Sequence, residues 1–202
     1  MTRITLSSNH RIEGRLSVEE AICKRRSVRD FSGKTLSISL LSDLLYYADG
    51  ITEERDRLRA APSAGATYPI ELYLLANKVN DLPVGVYHYL ALSHEIETVN
   101  YGDFRHDISQ AAVHEKMILS ANCVFILSAV IQRTQRVYGD RADRYIYFEA
   151  GHIAQNIYLA ATSIGLGACA IGAFYDNQIN SILGLDGKRE SAIYILALGT
   201  IQ

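Results

Sequence analysis

Apolar residues recur along the chain at spacings that alternate between helical and extended periods. Ser17 and Glu20 stand at capping-box spacing ahead of Ala21 and Ile22, which predicts a helix opening at Ser17 and ending near Arg25. Leu40, Leu41, Leu44, Leu45 and Ala48 fall three and four apart and stop at Gly50, so a second helix lies on the core along that stripe. The densely charged stretch Thr52 to Arg59 reads as a solvated helix end or loop. Ile70 to Ala76 is β-branched and aromatic enough for a buried strand. Gly85 to Leu92 and Ile96 to Val99 form two more strands around a polar turn at Ser93-His94-Glu95. The unbroken apolar run Cys123 to Ile131 predicts a central strand covered on both faces.

A long helix follows from about Arg141 to Ile164, with Ile153, Ile157, Ala160, Ala161 and Ile164 on one side and Gly165 and Gly167 at its end. A strand at Ala168 to Ala173, a short helix at Asp176 to Leu183 and a strand at Ala192 to Leu198 complete the pattern. With one further helix before Cys123, this succession predicts an α+β domain of three layers.

At 202 residues and 49% hydrophobic content the chain supports one substantial core, so residues 1–202 are expected to form a single domain. A formal net charge of −2 gives no basic surface of the kind that captures phosphate backbones, which argues against nucleic acid as a partner. No apolar run approaches the roughly 20 residues that span a bilayer. MTRITLSSNHRIEGR lacks the apolar segment of a secretory signal, so a cytoplasmic protein is expected. Cys23, Cys123 and Cys169 are odd in number and far apart, and read as buried thiols in a reducing compartment.

Three segments carry candidate chemistry. Arg25-Arg26-Ser27-Val28-Arg29-Asp30-Phe31 places three guanidiniums and a hydroxyl within five residues, either as a fork for a phosphate dianion or as a solvated basic cluster. The loop Ala61-Pro62-Ser63-Ala64-Gly65-Ala66-Thr67-Tyr68-Pro69 is rich in small residues that let backbone amides approach a planar or anionic ligand. It lacks P-loop spacing and the P-loop lysine, and is otherwise an ordinary loop before a strand. Gly165 to Phe174 is a strand bracketed by glycines. There Gly172 offers backbone N–H groups to a ligand edge or simply permits close packing. No GxGxxG opens a helix, which disfavours a Rossmann site. Glu149, His152, Gln155 and Asn156 share one stretch of the long helix, as a buried hydrogen-bonded network or as an acid–base pair with too few ligands for a metal. Tyr138, Arg144, Tyr145 and Tyr147 flank its start, as interface residues or as a platform for a flat substrate.

Taken together, RRSVRDF, PSAGATYPIELYLL, YFEAGHIAQNIYLAATSIGLGACAIGAF and ILGLDG resemble the nitroreductase superfamily, and more closely its SagB-type dehydrogenase branch, from about Leu16 to Thr200. The resemblance implies a three-layer α+β fold with a mostly antiparallel central sheet, a homodimer and FMN bound at the dimer interface. By position, Arg25, Arg26, Ser27 and Arg29 match the segment that holds FMN phosphate and part of the ring. Pro62, Ser63 and Ala64 match a loop that reaches the flavin from the partner subunit, and Ile171, Gly172 and Ala173 match the strand that faces the ring near N5. The activity implied is hydride transfer from NAD(P)H through the flavin to an electrophilic acceptor of nitroaromatic or quinone type, with no dedicated protein acid or base required.

Two departures qualify that pattern. Gly199-Thr200-Ile201-Gln202 holds no basic pair for the phosphate, which leaves Arg25, Arg26 and Arg29 to carry more of the charge. Val137-Tyr138 stands where azoline-oxidising enzymes of the SagB branch have Lys-Tyr. A SagB-type dehydrogenase of an organic or peptide-derived substrate and a non-redox flavin-binding module therefore remain alternatives.

Overall fold

The computed structural model describes residues 2–7 and 16–202; most of the N-terminal run read against a secretory signal lies outside them. Nine strands and seven α-helices follow in chain order among the described residues: β1 (Arg3–Thr5), α1 (Val18–Lys24), α2 (Ile38–Asp49), β2 (Ile51–Glu53), β3 (Leu58–Arg59), β4 (Ile70–Ala76), β5 (Gly85–Leu90), β6 (Glu95–Tyr101), α3 (Arg105–Ala111), α4 (Met117–Ser120), β7 (Cys123–Val130), α5 (Ile131–Tyr138), α6 (Ala142–Ser163), β8 (Leu166–Ile171), α7 (Asp176–Leu183) and β9 (Glu190–Thr200). Seven strands form one sheet in the order β1-β6-β5-β4-β7-β9-β8, and every neighbouring pair is antiparallel.

The sheet's alternation sorts its side chains into two cores. Cys123, Phe125 and Leu127 of β7 face α2 and α6 together with Leu72, Leu74 and Leu196. Val124 and Ile126 face the opposite way, joining Leu75, Ile195 and Ala197 against α3, α4 and α7. Burial on both faces explains why β7 reads as an uninterrupted apolar run. Ser17 caps α1 with both bonds of the capping box, and Gly50 closes α2 through its N–H to the Tyr46 carbonyl.

Several expectations are corrected. Thr52 to Arg59 is a β-hairpin, turned by the Glu53 carboxylate, which accepts the backbone N–H groups of Arg55 and Asp56 at 3.0 and 2.7 Å. Gly165, at φ +76°, ends α6 as expected, but Gly167 lies inside β8, opposite Gly199. That strand starts two residues earlier than expected and stops at Ile171, so Gly172 and Ala173 follow it. β9 extends past both expected ends because β7 and β8 pair with it on either side. Two helices, α3 and α4, precede β7 where one was expected, and α5 was not foreseen. Cys123 and Cys169 are buried, but Cys23 is exposed on α1.

Candidate functional site

The arginine segment leaves α1 and runs along the outer edge of β8. Val28 donates its backbone N–H to the Ala168 carbonyl at 2.9 Å, and Ser27 bridges Ala168 in parallel. Two glycines make this close approach possible. A Cβ on Gly167 would stand 2.8 Å from Val28, and one on Gly199 would stand 2.9 Å from Phe31. The two glycines therefore form a notch in the sheet into which the RRSVRDF segment fits.

Tyr158 of α6 fixes the other flank. Its hydroxyl accepts the Ala170 N–H at 2.6 Å and lies 3.4 Å from Ser27 Oγ, while the Arg25 guanidinium sits 5.1 Å over its ring. Cys169 lies beneath. Burial pushes its thiol up, and Arg29 and Ser27 close by oppose the shift. Arg26 differs from its neighbours because one of its nitrogens donates to the Cys23 and Arg25 carbonyls at 3.0 and 2.7 Å, capping α1. Just beyond Ile171 the backbone at Gly172 and Ala173 is exposed, and a Cβ built on Gly172 meets nothing within 4 Å. Arg25, Ser27, Arg29 and the end of β8 are thus gathered in one place.

The Pro62–Tyr68 loop lies elsewhere on the same chain. Its Ser63 faces Glu149, nine positions before Tyr158 on α6 and so about 14 Å away along the helix axis. Gly65, Ala66 and Tyr68 all take left-handed φ values of 57°, 50° and 43°. For Ala66 and Tyr68 that conformation is unfavourable and requires outside support. The support is dense. Ser63 Oγ accepts the Tyr68 N–H at 2.9 Å, and Thr67 meets Thr134 of α5 at 2.9 Å. Arg133 donates to the Tyr68 carbonyl at 2.8 Å, and the Arg59 guanidinium lies 4.8 Å over the Tyr68 ring. Tyr138 occupies the space beside Gly65, where a Cβ would stand 2.8 Å from its hydroxyl.

Behind this loop lies a charged network. Arg59 pairs with buried Asp49 at the end of α2, and Glu71 accepts from both Arg133 and His88 at 2.6 and 2.7 Å. His88 stacks on Tyr73, whose hydroxyl donates to Glu190 at 3.0 Å. Burial pushes the Asp49 carboxyl up to about 7 against the pull of Arg59, with Glu149 and Glu71 adding to the rise. Burial likewise raises Glu149 to about 7, opposed by Ser63, Arg59 and the Ile70 N–H. Glu71 behaves oppositely: burial raises it, but the His88 hydrogen bond and the Arg133 charge together hold it below the ordinary value. A cavity of about 490 Å³ opens onto this network, lined in part by Arg59, Tyr68, Glu71, His88 and Arg133.

Of the residues grouped on α6, Glu149 is buried and Asn156 donates to the Ala48 carbonyl at 3.3 Å, while His152 and Gln155 are exposed. With His152 and Gln155 exposed, the structure forms neither the acid–base pair nor a buried network shared by these four residues. Tyr138 and Tyr145 pack ring to ring at 4.5 Å, and Tyr147 is exposed. Sequence reasoning missed Asp49, Arg59, Glu71, His88 and Arg133. Only the β4–β5 register, which places Glu71 near the His88–Tyr73 pair, would have indicated any of them.

The Nitroreductase family profile matches residues 22–200. The chain belongs to the nitroreductase family. A nitroreductase-type protein of Methanocaldococcus jannaschii is 41% identical over 184 residues, covering 91% of each chain. The microcin B17-processing protein McbC of Escherichia coli is 26% identical over 174 residues, covering 83% of this chain and 63% of its own, which places the SagB-like branch among the relatives. In three dimensions, a nitroreductase-type structure from Anabaena variabilis superposes with a TM-score of 0.87 at 28% identity, over 100% of this chain and 42% of that one.

Proposed function

We propose that this nitroreductase-family chain is an FMN-dependent oxidoreductase that moves a hydride from NAD(P)H to an electrophilic acceptor of the nitroaromatic or quinone type. The observation that carries the reading is the glycine-notched seat of the arginine segment, which leaves Arg25 and Arg29 on either side of Ser27, next to the open backbone at Gly172. Those residues suit a phosphorylated planar ligand. Guanidiniums and a hydroxyl meet the dianion, and a glycine edge with no Cβ neighbour admits a flat ring. When bound, FMN supplies hydride acceptance and release at N5.

In this reading Arg25, Arg26, Ser27 and Arg29 neutralise and orient the phosphate and the pyrimidine side of the ring. The backbone of Ile171, Gly172 and Ala173 provides N–H groups that favour electron density on the reduced ring. Pro62, Ser63 and Ala64 complete the site from a second protomer. The separation of their loop from Ser27 within one chain supports this arrangement, because the two halves of the site then come from different copies. Exposed Val18 and Ile22 on α1 support homodimerisation as well. Val18 also lines a groove of about 490 Å³ together with Leu16, Ala21, Tyr47, Leu159 and Ala160.

The similarity to the microcin B17-processing protein favours a second reading, a dehydrogenase that oxidises an organic or peptide-derived substrate and delivers the electrons to oxygen. Steady-state assays separate the two. The first predicts NAD(P)H oxidation accelerated by an added quinone or nitroaromatic. Turnover of a reduced organic substrate with no nicotinamide oxidation supports the second.

A further inference from the structure

We infer that the cavity beside Tyr68 is a binding site for an organic carboxylate, with Arg59 and Arg133 as its anion contacts and Tyr68, Leu90, Ala91 and Leu92 as its apolar wall. The assignment goes beyond the proposed function and does not depend on it, because every group it uses lies within this chain.

Both guanidiniums are anchored through a single nitrogen. Nη1 of Arg133 donates to the Tyr68 carbonyl at 2.8 Å and pairs with Glu71 Oε1 at 2.6 Å, while Nη1 of Arg59 pairs with Asp49. Nε and Nη2 of each make no hydrogen bond among the described residues, so most of the N–H donors of both groups remain for a ligand. Tyr68 brings the two together. Its carbonyl holds Arg133, and its ring lies 4.8 Å beneath the Arg59 guanidinium. The Arg133 side chain is 41% exposed and that of Arg59 13%, which sets one cation at the mouth of the cavity and the other deeper in its wall.

The charges of the wall favour an anion. Glu71 is the one carboxylate among the lining residues, and both its oxygens are engaged, Oε1 by Arg133 and Oε2 by His88 Nε2 at 2.7 Å. Asp49, the partner of Arg59, is buried and outside the lining. Two guanidiniums thus face the cavity against one neutralised carboxylate. A planar carboxylate meets the Nε and Nη2 edge of a guanidinium through two parallel bonds. The Tyr68 ring, Leu90, Ala91 and Leu92 offer no partner to a fully hydrated ion but cover an aromatic or aliphatic body. A volume of about 490 Å³ suits such a small organic acid.

Titration of the isotope-labelled purified protein with benzoate, followed by amide and arginine Nε–H resonances, tests this. Saturable shifts are expected at Tyr68, Leu90, Ala91 and Leu92 and at the side chains of Arg59 and Arg133, with a Kd of about 1 mM or tighter. Arg133→Gln should weaken binding about tenfold or more, the loss of a charge-assisted hydrogen bond. Because that variant also loosens Glu71, Leu92→Asp gives an independent reading. Leu92 is exposed at the cavity rim, so the substitution leaves the network intact, and its added negative charge should weaken benzoate about twofold to fivefold. Neutral benzamide should bind at least about tenfold more weakly than benzoate. No saturation by about 10 mM, or shifts confined to Arg25–Arg29 and Gly172, overturns the site. Undiminished binding in both variants does the same. Inorganic phosphate binding as tightly as benzoate overturns the assignment to an organic acid.

Discussion

The arginine segment and the Pro62–Tyr68 loop represent opposite ways of building a binding surface. The first is seated by backbone pairing to β8 and by the absence of side chains at Gly167 and Gly199, and its charged groups remain largely exposed. The second is bent into left-handed conformations and held from behind by an ion pair, a cation–π contact and several hydrogen bonds, so its charged neighbours are engaged within the protein. Where charge is left exposed, the fold supplies shape through glycine. Where strained backbone must be held, charge is buried and compensated internally.

The largest effect that sharpens this contrast is expected from Arg59→Ala. Leaving Asp49 buried without its partner should destabilise the protein by about 3–5 kcal/mol in urea unfolding. Arg29→Ala, on the open segment, should change stability by no more than about 0.5 kcal/mol. Equal losses would erase the distinction. Gly167→Ala comes next, at about 1–3 kcal/mol, because its methyl enters the space of Val28; the same variant should also weaken FMN binding by displacing Ser27.

The pH dependence of stability follows from the raised carboxyls. Asp49 and Glu149 titrate at about 7 in the fold against ordinary values of 3.8 and 4.5, so their stabilisation is complete below those ordinary values and is lost as pH rises towards about 7. Glu71 has the opposite sign: its contribution is present above 4.5 and lost as pH falls. The stability of the wild type relative to Asp49→Asn should therefore fall from about pH 4 to about pH 7; a relative stability that rises over that range contradicts the burial argument. A smaller effect than that of Gly167→Ala is expected from Arg26→Ala, which removes the carbonyl caps of α1 at about 0.5–1.5 kcal/mol. Unchanged FMN affinity in that variant would exclude Arg26 from the proposed phosphate cradle.

Local pattern carried much of the architecture. The Ser17 capping box, the leucine stripe of α2, the apolar run of β7 and the Asp176–Leu183 helix are each written in a short window and appear as expected. The hairpin at residues 51–59 was obscured because its charges imitate a solvated loop, and its reason for existing, delivering Arg59 to Asp49, lies outside the window. Helix α5 is mostly polar, and β1 is three residues long, so neither carries an apolar period. In the candidate site the arginines and Gly172 stand out by residue type. The Glu71–His88–Tyr73 arrangement depends instead on strand register.

The most direct test of the central claim is the visible absorption spectrum of the purified protein, supplied with FMN where needed, before and after anaerobic addition of NADH and NADPH. The account predicts a bound-flavin spectrum that bleaches with at least one of the two nicotinamides. A protein that neither carries FMN nor takes it up would contradict it.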